Sequence, residues 1–420
     1  MAHQYPAAMA PTRPDIRFRE FVLLCAALMA MNALSIDPML PALPAIAQDL
    51  RVPHPNDRQL IISIYFLGTG IGSLLFGVLS DRFGRKPVLG GATALFIAAS
   101  IACAIAPSFS MLLVGRGLAG FFAGASRVIT VSIIRDRFHG DAMARVMSLI
   151  FSIFMIIPVL APSFGQAILW VAPWRWIFWA LSILALMVLL WMMIRLPETL
   201  SVENRMPISA RSIVASVVTI LTTRQTIGYM LASGVVMSGM IGFIVSIQQI
   251  LFDVFDAGHI FPLAFAAMAG TMGLGGLANS RLVSLVGARR LSQGAVILMI
   301  ALSLIHLGII FSGHESLVSF MILQALTMLC VAFTSSNFSS ISMEPFSKGA
   351  GMASSFQACL TTAIASFLGS IVGRAFDGTV MPFALGLFGF GTLALAIVLW
   401  AERGRLFTRP HNEDLREIEF

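Results

Sequence analysis

Residues 21–45 read FVLLCAALMAMNALSIDPMLPALPA, and Asp37 carries the only charged side chain in this apolar stretch. At a rise of 1.5 Å per residue, a helix of this length would measure about 37 Å, enough to cross a hydrocarbon core of roughly 30 Å. A carboxylate at membrane depth costs at least about 2.5 kcal/mol, so it normally faces protein or water and marks a functional site. The stretch therefore predicts a membrane-spanning helix with Asp37 at a functional position.

The composition of the whole chain is that of a membrane protein. Of its 420 residues 58% are hydrophobic and 11% charged, whereas soluble domains carry about 25% charged residues. The net charge of +7 could indicate nucleic acid, but the basic residues lie in small clusters between apolar spans. We therefore expect contact with membrane lipid and no nucleic-acid partner. The four cysteines lie within apolar spans without metal-ligand spacing, so no metal site is expected.

Twelve apolar stretches are each close to the length that a membrane-spanning helix needs. None alternates polar and apolar residues as a barrel strand would, so the predicted fold class is an all-α membrane protein. The predicted spans are 21–45, 60–80, 88–106, 111–132, 144–169, 176–195, 226–251, 260–280, 291–311, 317–341, 350–373 and 381–401.

Lysine and arginine are unevenly distributed between the two sides of the membrane that these spans define. Twenty-one lie on the side of the two termini and four on the other side, while Arg116 and Arg127 fall within a span. Cytoplasmic segments carry such an excess, so both termini are predicted to be cytoplasmic. The first span exceeds the apolar core of a signal peptide, so we expect it to be retained.

The longest connection on the terminal side divides the spans into six and six. The predicted units are an N-terminal half at 1–200, a linker at 201–224 with an amphipathic helix on the membrane surface, and a C-terminal half at 225–420. A duplication supports this division, because SDRFGRKP in the first half aligns with SLVGARRL in the second, with Gly84 against Gly287. Two related halves are typical of transporters.

The loop GVLSDRFGRKPVL at 77–89 carries the most specific local motif. It resembles the signature of the major facilitator superfamily, G-x-L-x-D-R-x-G-R-K/R-x-x-L. The matching residues are Gly77, Leu79, Asp81, Arg82, Gly84, Arg85, Lys86 and Leu89. Gly77 would permit close helix contact, Gly84 a tight turn, and Asp81 could accept hydrogen bonds from arginines. The resemblance implies a twelve-helix fold in two pseudo-symmetric halves, which this loop latches shut on the cytoplasmic side. The alternative is that its basic residues only orient the chain in the membrane.

The fourth span places Arg116 and Arg127 eleven residues apart, on nearly the same helix face and about 16 Å apart along the axis. Arg116 to Gly120 resembles the superfamily motif R-x-x-Q-G, with Ala119 in place of the glutamine. By depth, Asp37 and Arg116 could meet in a shared cavity, where the arginine would favour the charged carboxylate and desolvation would disfavour it. The resemblance implies proton and substrate coupling by these three charged residues. The alternatives are a static ion pair, and for Arg127 a side chain that snorkels to the boundary.

The run PVLAPSFG at 158–165 in the fifth span resembles the antiporter motif G-P-x-x-G-G. Pro158 and Pro162 remove backbone hydrogen bonds and predict a bent helix, and Gly165 matches the first glycine of the final pair. Ala161 and Gln166 depart from the motif, so a plain kinked helix is the alternative reading.

Five segments together resemble the bicyclomycin/chloramphenicol-resistance branch of drug:proton antiporters. They are IDPMLPALPAIAQDL at 36–50, PVLAPSFG at 158–165, WRWIF at 174–178, LPETL at 196–200 and MEPFSKGAGMASS at 343–355. The resemblance implies export of small drug-like molecules in exchange for protons, with the proton gradient in place of any cofactor and no catalytic residue. It also implies a monomer in the bacterial inner membrane. Met39, Val78 and Ala119 depart from the branch pattern, which leaves the substrate open.

Three other functions remain as alternatives to drug export. An uptake symporter would share the fold, and the antiporter-like fifth span argues against it. A membrane-embedded enzyme would need clustered catalytic or metal-binding residues, which the spans lack. A receptor is disfavoured by the internal duplication and the charges at membrane depth.

Overall fold

The computed structural model describes residues 16–138, 140–205, 210–346 and 350–407, and all regular structure in those ranges is helical. The α-helices are α1 (Phe18–Leu34), α2 (Leu43–Asp49), α3 (Leu60–Phe83), α4 (Arg85–Ala104), α5 (Phe109–Arg137), α6 (Gly140–Val171), α7 (Arg175–Arg195), α8 (Ala210–Thr222), α9 (Arg224–Gln249), α10 (Phe261–Val286), α11 (Ala288–Phe311), α12 (Leu317–Met343), α13 (Ala350–Arg374) and α14 (Met381–Ala401). Within the described ranges, eleven segments are long and apolar enough to span a membrane, and α6 has a shorter apolar part, Ile156–Val171. The predicted all-α membrane fold is confirmed.

The first predicted span is not one continuous helix. α1 ends at Leu34, a 3₁₀ turn runs over Asp37–Ala42, and α2 follows. The reason is proline chemistry, because Pro38 and Pro41 lack an N–H donor and their rings collide with the carbonyl four residues earlier. Asp37 is the first residue of the 3₁₀ turn, directly before Pro38. The acid therefore lies at a helix break and not within a regular helix.

Helices α1–α7 form the N-terminal bundle and α9–α14 the C-terminal bundle, joined through α8. Along α8, Val214, Val218 and Leu221 are exposed while Ile220 is buried against the C-terminal bundle, so this helix of the linker is amphipathic. Its position on a membrane surface, and the predicted division at 201–224, stay predictions. Residues 206–209 of that linker lie outside the described ranges.

We call the face at which α1 begins and α14 ends the terminal face, and the other the distal face. At the terminal face Arg195 makes two hydrogen bonds to Glu20, at 2.6 and 2.7 Å, which join the end of α7 to the start of α1. Arg224 donates to the carbonyl of Trp400, which joins α9 to α14 in the same way. Residues 1–15 and 408–420 lie outside the described ranges, and the cytoplasmic location of the termini stays a prediction.

Glycines bring α3 and α5 into close contact. A Cβ on Gly120 would overlap the Tyr65 carbonyl, and one on Gly72 would overlap the carbonyl of Phe121. Small residues that let helix backbones approach are a common means of association in membranes, where apolar side chains gain little by leaving lipid. The motif glycine at position 120 thus sets the distance at which Arg116, one turn earlier, meets α3.

The junction between α3 and α4 depends on Gly84 and on a distant carboxylate. Gly84 has φ +103° and ψ 154°, a region that is essentially restricted to glycine. It offers no side chain to cap α4, so the backbone N–H groups of Arg85 and Lys86 donate to Glu198, each at 3.0 Å. A carboxylate at this position satisfies free amide groups and complements the helix dipole.

Replacement of Gly84 by alanine tests this junction. The backbone strain should cost roughly 1–3 kcal/mol. A Cβ would also lie 2.7 Å from Glu198 Oε2, and moving that carboxylate breaks charge-assisted hydrogen bonds worth roughly 1.5–3 kcal/mol each. We expect Gly84→Ala to lower the unfolding temperature of the purified protein in detergent.

Gly287 provides the matched control for this experiment. It has φ +89° at the corresponding junction of α10 and α11, but a Cβ there would meet no atom within 4 Å. Gly287→Ala should therefore show the backbone strain alone and a smaller decrease in unfolding temperature. Equal decreases in the two variants would contradict the capping role of Glu198.

Candidate functional site

Asp37 is buried at the helix break between α1 and α2, with 5% of its surface exposed. The described contacts include no hydrogen bond or ion pair to its carboxylate. Burial of an unpaired charge is costly, and in membrane proteins such a residue usually serves function. The 3₁₀ turn that carries it touches both α6 and α9, so the acid lies near the boundary between the two bundles.

Gly165 of α6 packs directly on this turn. A Cβ at Gly165 would overlap the backbone of Pro38, the residue after Asp37, so only glycine fits there. Pro162, one turn earlier, is buried, and Pro158 is partly buried. The structure thus brings part of the antiporter-like motif of α6 against the segment that carries the acid.

Arg116 is the largest fully buried side chain of the described residues, with 1% of its surface exposed. Its Nε donates to the carbonyl of Ile61 at 3.2 Å, and its guanidinium lies over the ring of Tyr65, 4.3 Å from the centroid. Its Nη2 has no hydrogen-bond partner among the described residues. The described contacts do not pair Arg116 with Asp37, and its guanidinium instead contacts the carbonyl of Ile61 and the ring of Tyr65 on α3.

Tyr65 and Asn32 belong to the site, and sequence reasoning missed both. The Tyr65 hydroxyl donates to Asn32 Oδ1 at 3.0 Å, and its ring carries Arg116. Tyr65 therefore connects Arg116 to Asn32 of α1. The available signal was its rarity, because the chain has three tyrosines and Tyr65 is one of two within the predicted apolar spans.

Arg127 lies on α5 closer to the terminal face than Arg116. Its side chain is exposed. A role in coupling, and the alternative that Arg127 snorkels to the membrane boundary, both stay predictions.

The motif residues of the predicted cytoplasmic latch form a charge cluster at the terminal face. Arg85 bonds Asp81 at 2.5 Å and Asp136 at 3.0 Å, while Lys86 Nζ donates to the carbonyl of Met193 at 2.8 Å. Arg82 is exposed and lies over the ring of its neighbour Phe83. The described bonds of Asp81 and Arg85 stay within the N-terminal bundle, so their role as a latch between bundles stays a prediction.

One motif residue of that loop region does contact the C-terminal bundle. A Cβ on Gly77 would lie 2.9 Å from the Ser355 hydroxyl of α13, which shows how closely α3 and α13 approach. The predicted use of Gly77, close helix contact, agrees with this position.

The C-terminal bundle has a matching cluster that the sequence reasoning did not identify. Arg289 bonds Glu344 at 2.7 Å and Glu402 at 3.0 Å. The hydroxyl of Tyr229 donates to Glu402 at 2.7 Å. Each bundle therefore ties its own helix ends together around one arginine.

The bundles are joined at the distal face by a polar network, which we call the distal latch. It comprises Arg58–Asp253 at 2.9 Å, Asp57–Arg374 at 3.1 Å, Gln59–Gln249 at 2.9 Å and Gln249–Asn56 at 2.7 Å. Asp253, in the turn after α9, contacts Arg58 of the other bundle, a pairing across 195 residues that no local pattern could reveal.

The chain is similar to one curated protein along most of its length and to another along less than half of its length. The chain is 28% identical over 366 residues to the MFS-type transporter YdgK of Bacillus subtilis, which covers 86% of this chain and 90% of YdgK. It is 39% identical over 181 residues to the multidrug resistance protein MdtL of Escherichia coli, over 43% of this chain. The match spans less than half of MdtL, 46% of its length.

The fold also has a counterpart among solved structures. The human organic anion transporter MFSD10 (TETRAN) superposes with a TM-score of 0.65 at 18% identity, over 93% of this chain and 100% of that one. A profile of the Major Facilitator Superfamily matches residues 22–370. The chain therefore belongs to the Major Facilitator Superfamily and is a multi-pass membrane transporter, not an enzyme.

Proposed function

We propose that this transporter exports small amphipathic, drug-like molecules across a bacterial inner membrane in exchange for protons. In this proposal it is a monomer of the bicyclomycin/chloramphenicol-resistance branch, with both termini and the terminal face in the cytoplasm. The proton gradient is its only energy source. The multidrug resistance protein MdtL, similar over part of the chain, supports the substrate class.

The observation that carries the proposal is the contact between the antiporter-like α6 and the segment of Asp37. Gly165 lies against the backbone of Pro38, so a movement of α6 would be transmitted directly to the adjacent acid. An unpaired carboxylate is costly to bury in its charged form. In our proposal Asp37 therefore takes up a proton when its site closes and releases it when the site is hydrated.

Arg116 and Arg127 have separate roles in this proposal. Arg116 is buried against Tyr65 and would tune the acid at a distance, without a direct bond to it. Arg127 is exposed nearer the terminal face, where a substrate arriving from the cytoplasm would pass. The two positions agree with a path that leads from the terminal face towards Asp37.

Alternating access is the transport mode that we propose. The distal latch closes the distal face in this structure, which supports entry of substrate from the terminal face. Rocking of the two bundles would open the latch and release the substrate on the distal side. The cluster of Gly77, Asp81, Arg82, Gly84, Arg85 and Lys86 would then control closure at the terminal face.

Replacement of Asp37 by asparagine tests proton coupling. Asn cannot exchange a proton at physiological pH, so Asp37→Asn should abolish drug-dependent proton movement and the protection of a pump-deficient bacterium. The measurement is drug susceptibility in that strain, together with lumenal pH in everted vesicles after addition of drug. In acidified vesicles the native chain should raise the lumenal pH, because an antiporter exports protons from the lumen as drug enters.

Asp377→Asn is the matched control, since Asp377 is an exposed acid that caps a turn at the distal face. It should protect as well as the native chain. If Asp37→Asn protected the bacterium as well as the native chain does, Asp37 would not be needed for transport. A lumenal pH that falls when drug is added would instead support the uptake symporter.

Weakening of the distal latch tests alternating access. Arg58 is 9% exposed, whereas Arg374 is 56% exposed, and exposed ion pairs contribute little, about 0–1 kcal/mol. Arg58→Gln should therefore open the distal face more than Arg374→Gln. The measurement is the labelling rate of a Ser63→Cys reporter by an impermeant thiol reagent from the distal side, with Cys359 replaced by serine.

We expect Arg58→Gln to raise the labelling rate about tenfold, and Arg374→Gln to change it much less, if the ion pair of the buried Arg58 contributes roughly 1.4 kcal/mol more. Ser63 suits this purpose because it is buried and its carbonyl accepts a bond from Ser366 of the other bundle. Equal labelling of all three proteins would show that the network does not hold the distal face closed.

A further inference from the structure

Two short segments of the chain repeat each other at a separation of 211 residues. SIDPML at 35–40 and SIQQIL at 246–251 share serine, isoleucine and leucine at corresponding positions. Both lie where a long helix changes its geometry, the first at the 3₁₀ turn after α1 and the second at the π turn after α9. In this repeat Gln248 corresponds to Asp37.

A second correspondence relates α5 to α12. Each helix begins after a serine, Ser108 or Ser316, whose side chain accepts a hydrogen bond from the backbone N–H three residues later. Each ends near an acid that binds an arginine of the terminal face, Asp136 with Arg85 for α5 and Glu344 with Arg289 for α12. The two serines are 208 residues apart, and so are the two acids. The same spacing makes Gln324 of α12 the counterpart of Arg116.

Gln248 and Gln324 are buried without hydrogen-bond partners. Their exposed fractions are 0% and 1%, and both the nitrogen and the oxygen of each amide lack a partner among the described residues. A buried polar group that makes no hydrogen bond costs roughly 1–3 kcal/mol, so four such atoms oppose folding substantially. Buried groups of this kind call for a functional explanation more than a structural one.

The two amides lie at a similar depth on neighbouring helices. Gln324 is seven residues into α12 from its distal end, and Gln248 is six residues before the end of the π turn at Val254. At 1.5 Å per residue both lie roughly 10 Å below the distal ends of their helices. α9 packs against α12, so the two side chains belong to one region of the C-terminal bundle.

The distal latch borders this region. Gln249, the residue after Gln248, accepts a hydrogen bond from Gln59 at 2.9 Å and donates one to Asn56 at 2.7 Å. In the proposed alternating access, opening of the latch would break these bonds and free the end of α9 next to Gln248. A substrate that moves towards the distal side would then reach the two amides.

We propose that Gln248 and Gln324 form a neutral hydrogen-bonding subsite that binds carbonyl, amide or hydroxyl groups of the transported molecule as the distal latch opens. It is the uncharged counterpart of Asp37 and Arg116, and it rests on the proposed transport function. An amide offers both a donor and an acceptor without a charge. In this proposal the C-terminal bundle selects neutral groups that carry oxygen, while Asp37 of the N-terminal bundle takes up and releases the proton.

The test replaces each glutamine by methionine, which keeps the size and removes the hydrogen bonds. The probes are chloramphenicol, which carries an amide and hydroxyl groups, and ethidium, a cation without oxygen atoms. Their initial rates of uptake into everted vesicles are compared as a ratio, which cancels differences in expression. We expect Gln248→Met and Gln324→Met to lower the chloramphenicol-to-ethidium ratio about tenfold, the effect of roughly one lost hydrogen bond. Their unfolding temperatures should stay equal to or exceed that of the native chain.

Gln293→Met is the matched control, because Gln293 is equally buried but its amide is satisfied. It donates to the Tyr229 hydroxyl at 3.0 Å and accepts from the backbone of Phe407 at 2.6 Å. This variant should lose thermal stability and keep the uptake ratio.

Two results would overturn the subsite without touching the proposed function. One is an unchanged uptake ratio in both methionine variants, and the other is a loss of stability as large as that of Gln293→Met. A native chain that moves neither probe against a gradient would overturn the proposed function itself, and the subsite with it. Failure in the native chain and failure in the variants are therefore distinguishable.

Discussion

The candidate site depends on the close contact between Gly165 and the backbone of Pro38. In a bilayer, a helix break exposes polar backbone groups that must be covered by protein. Pro38 and Pro41 impose such a break on the first span, and α6 covers it because position 165 has no side chain. The same contact places α6 beside the buried Asp37, and in the proposed mechanism it links the charge state of the acid to the position of α6.

The two faces of the protein are held together in different ways. At the terminal face, Arg85 and Arg289 each join helix ends within one bundle. At the distal face, the described ion pairs, such as Arg58 with Asp253, join one bundle to the other. Internally tied bundles that meet through a few polar contacts have the construction needed for rigid-body rocking, since the interface can open without disturbing the packing inside either bundle.

Local chemistry made much of the fold predictable from sequence. The length of the apolar stretches predicted the membrane spans. Gly84 predicted a tight turn, and in the structure this residue has φ +103°. Hydropathy predicts one continuous helix over 21–45, because it does not take account of Pro38 and Pro41, which end α1 and produce the 3₁₀ turn. Tyr65 beneath Arg116, and Asp253 against Arg58, depend on helices that meet only in three dimensions. Such pairs leave no periodic signal in a single sequence.

The separation of Arg116 from Asp37 suits a carboxylate that must change its charge. A direct ion pair in a dry site would hold the acid ionised, because the attraction between opposite charges grows steeply as the effective dielectric falls. Here the guanidinium is stabilised by the Ile61 carbonyl and by the Tyr65 ring, a desolvated cation–π contact worth about 2 kcal/mol or more. Arg116 thus stays buried without Asp37 as its partner, and in the proposed mechanism this leaves the charge of Asp37 to be set by water and by the position of α6.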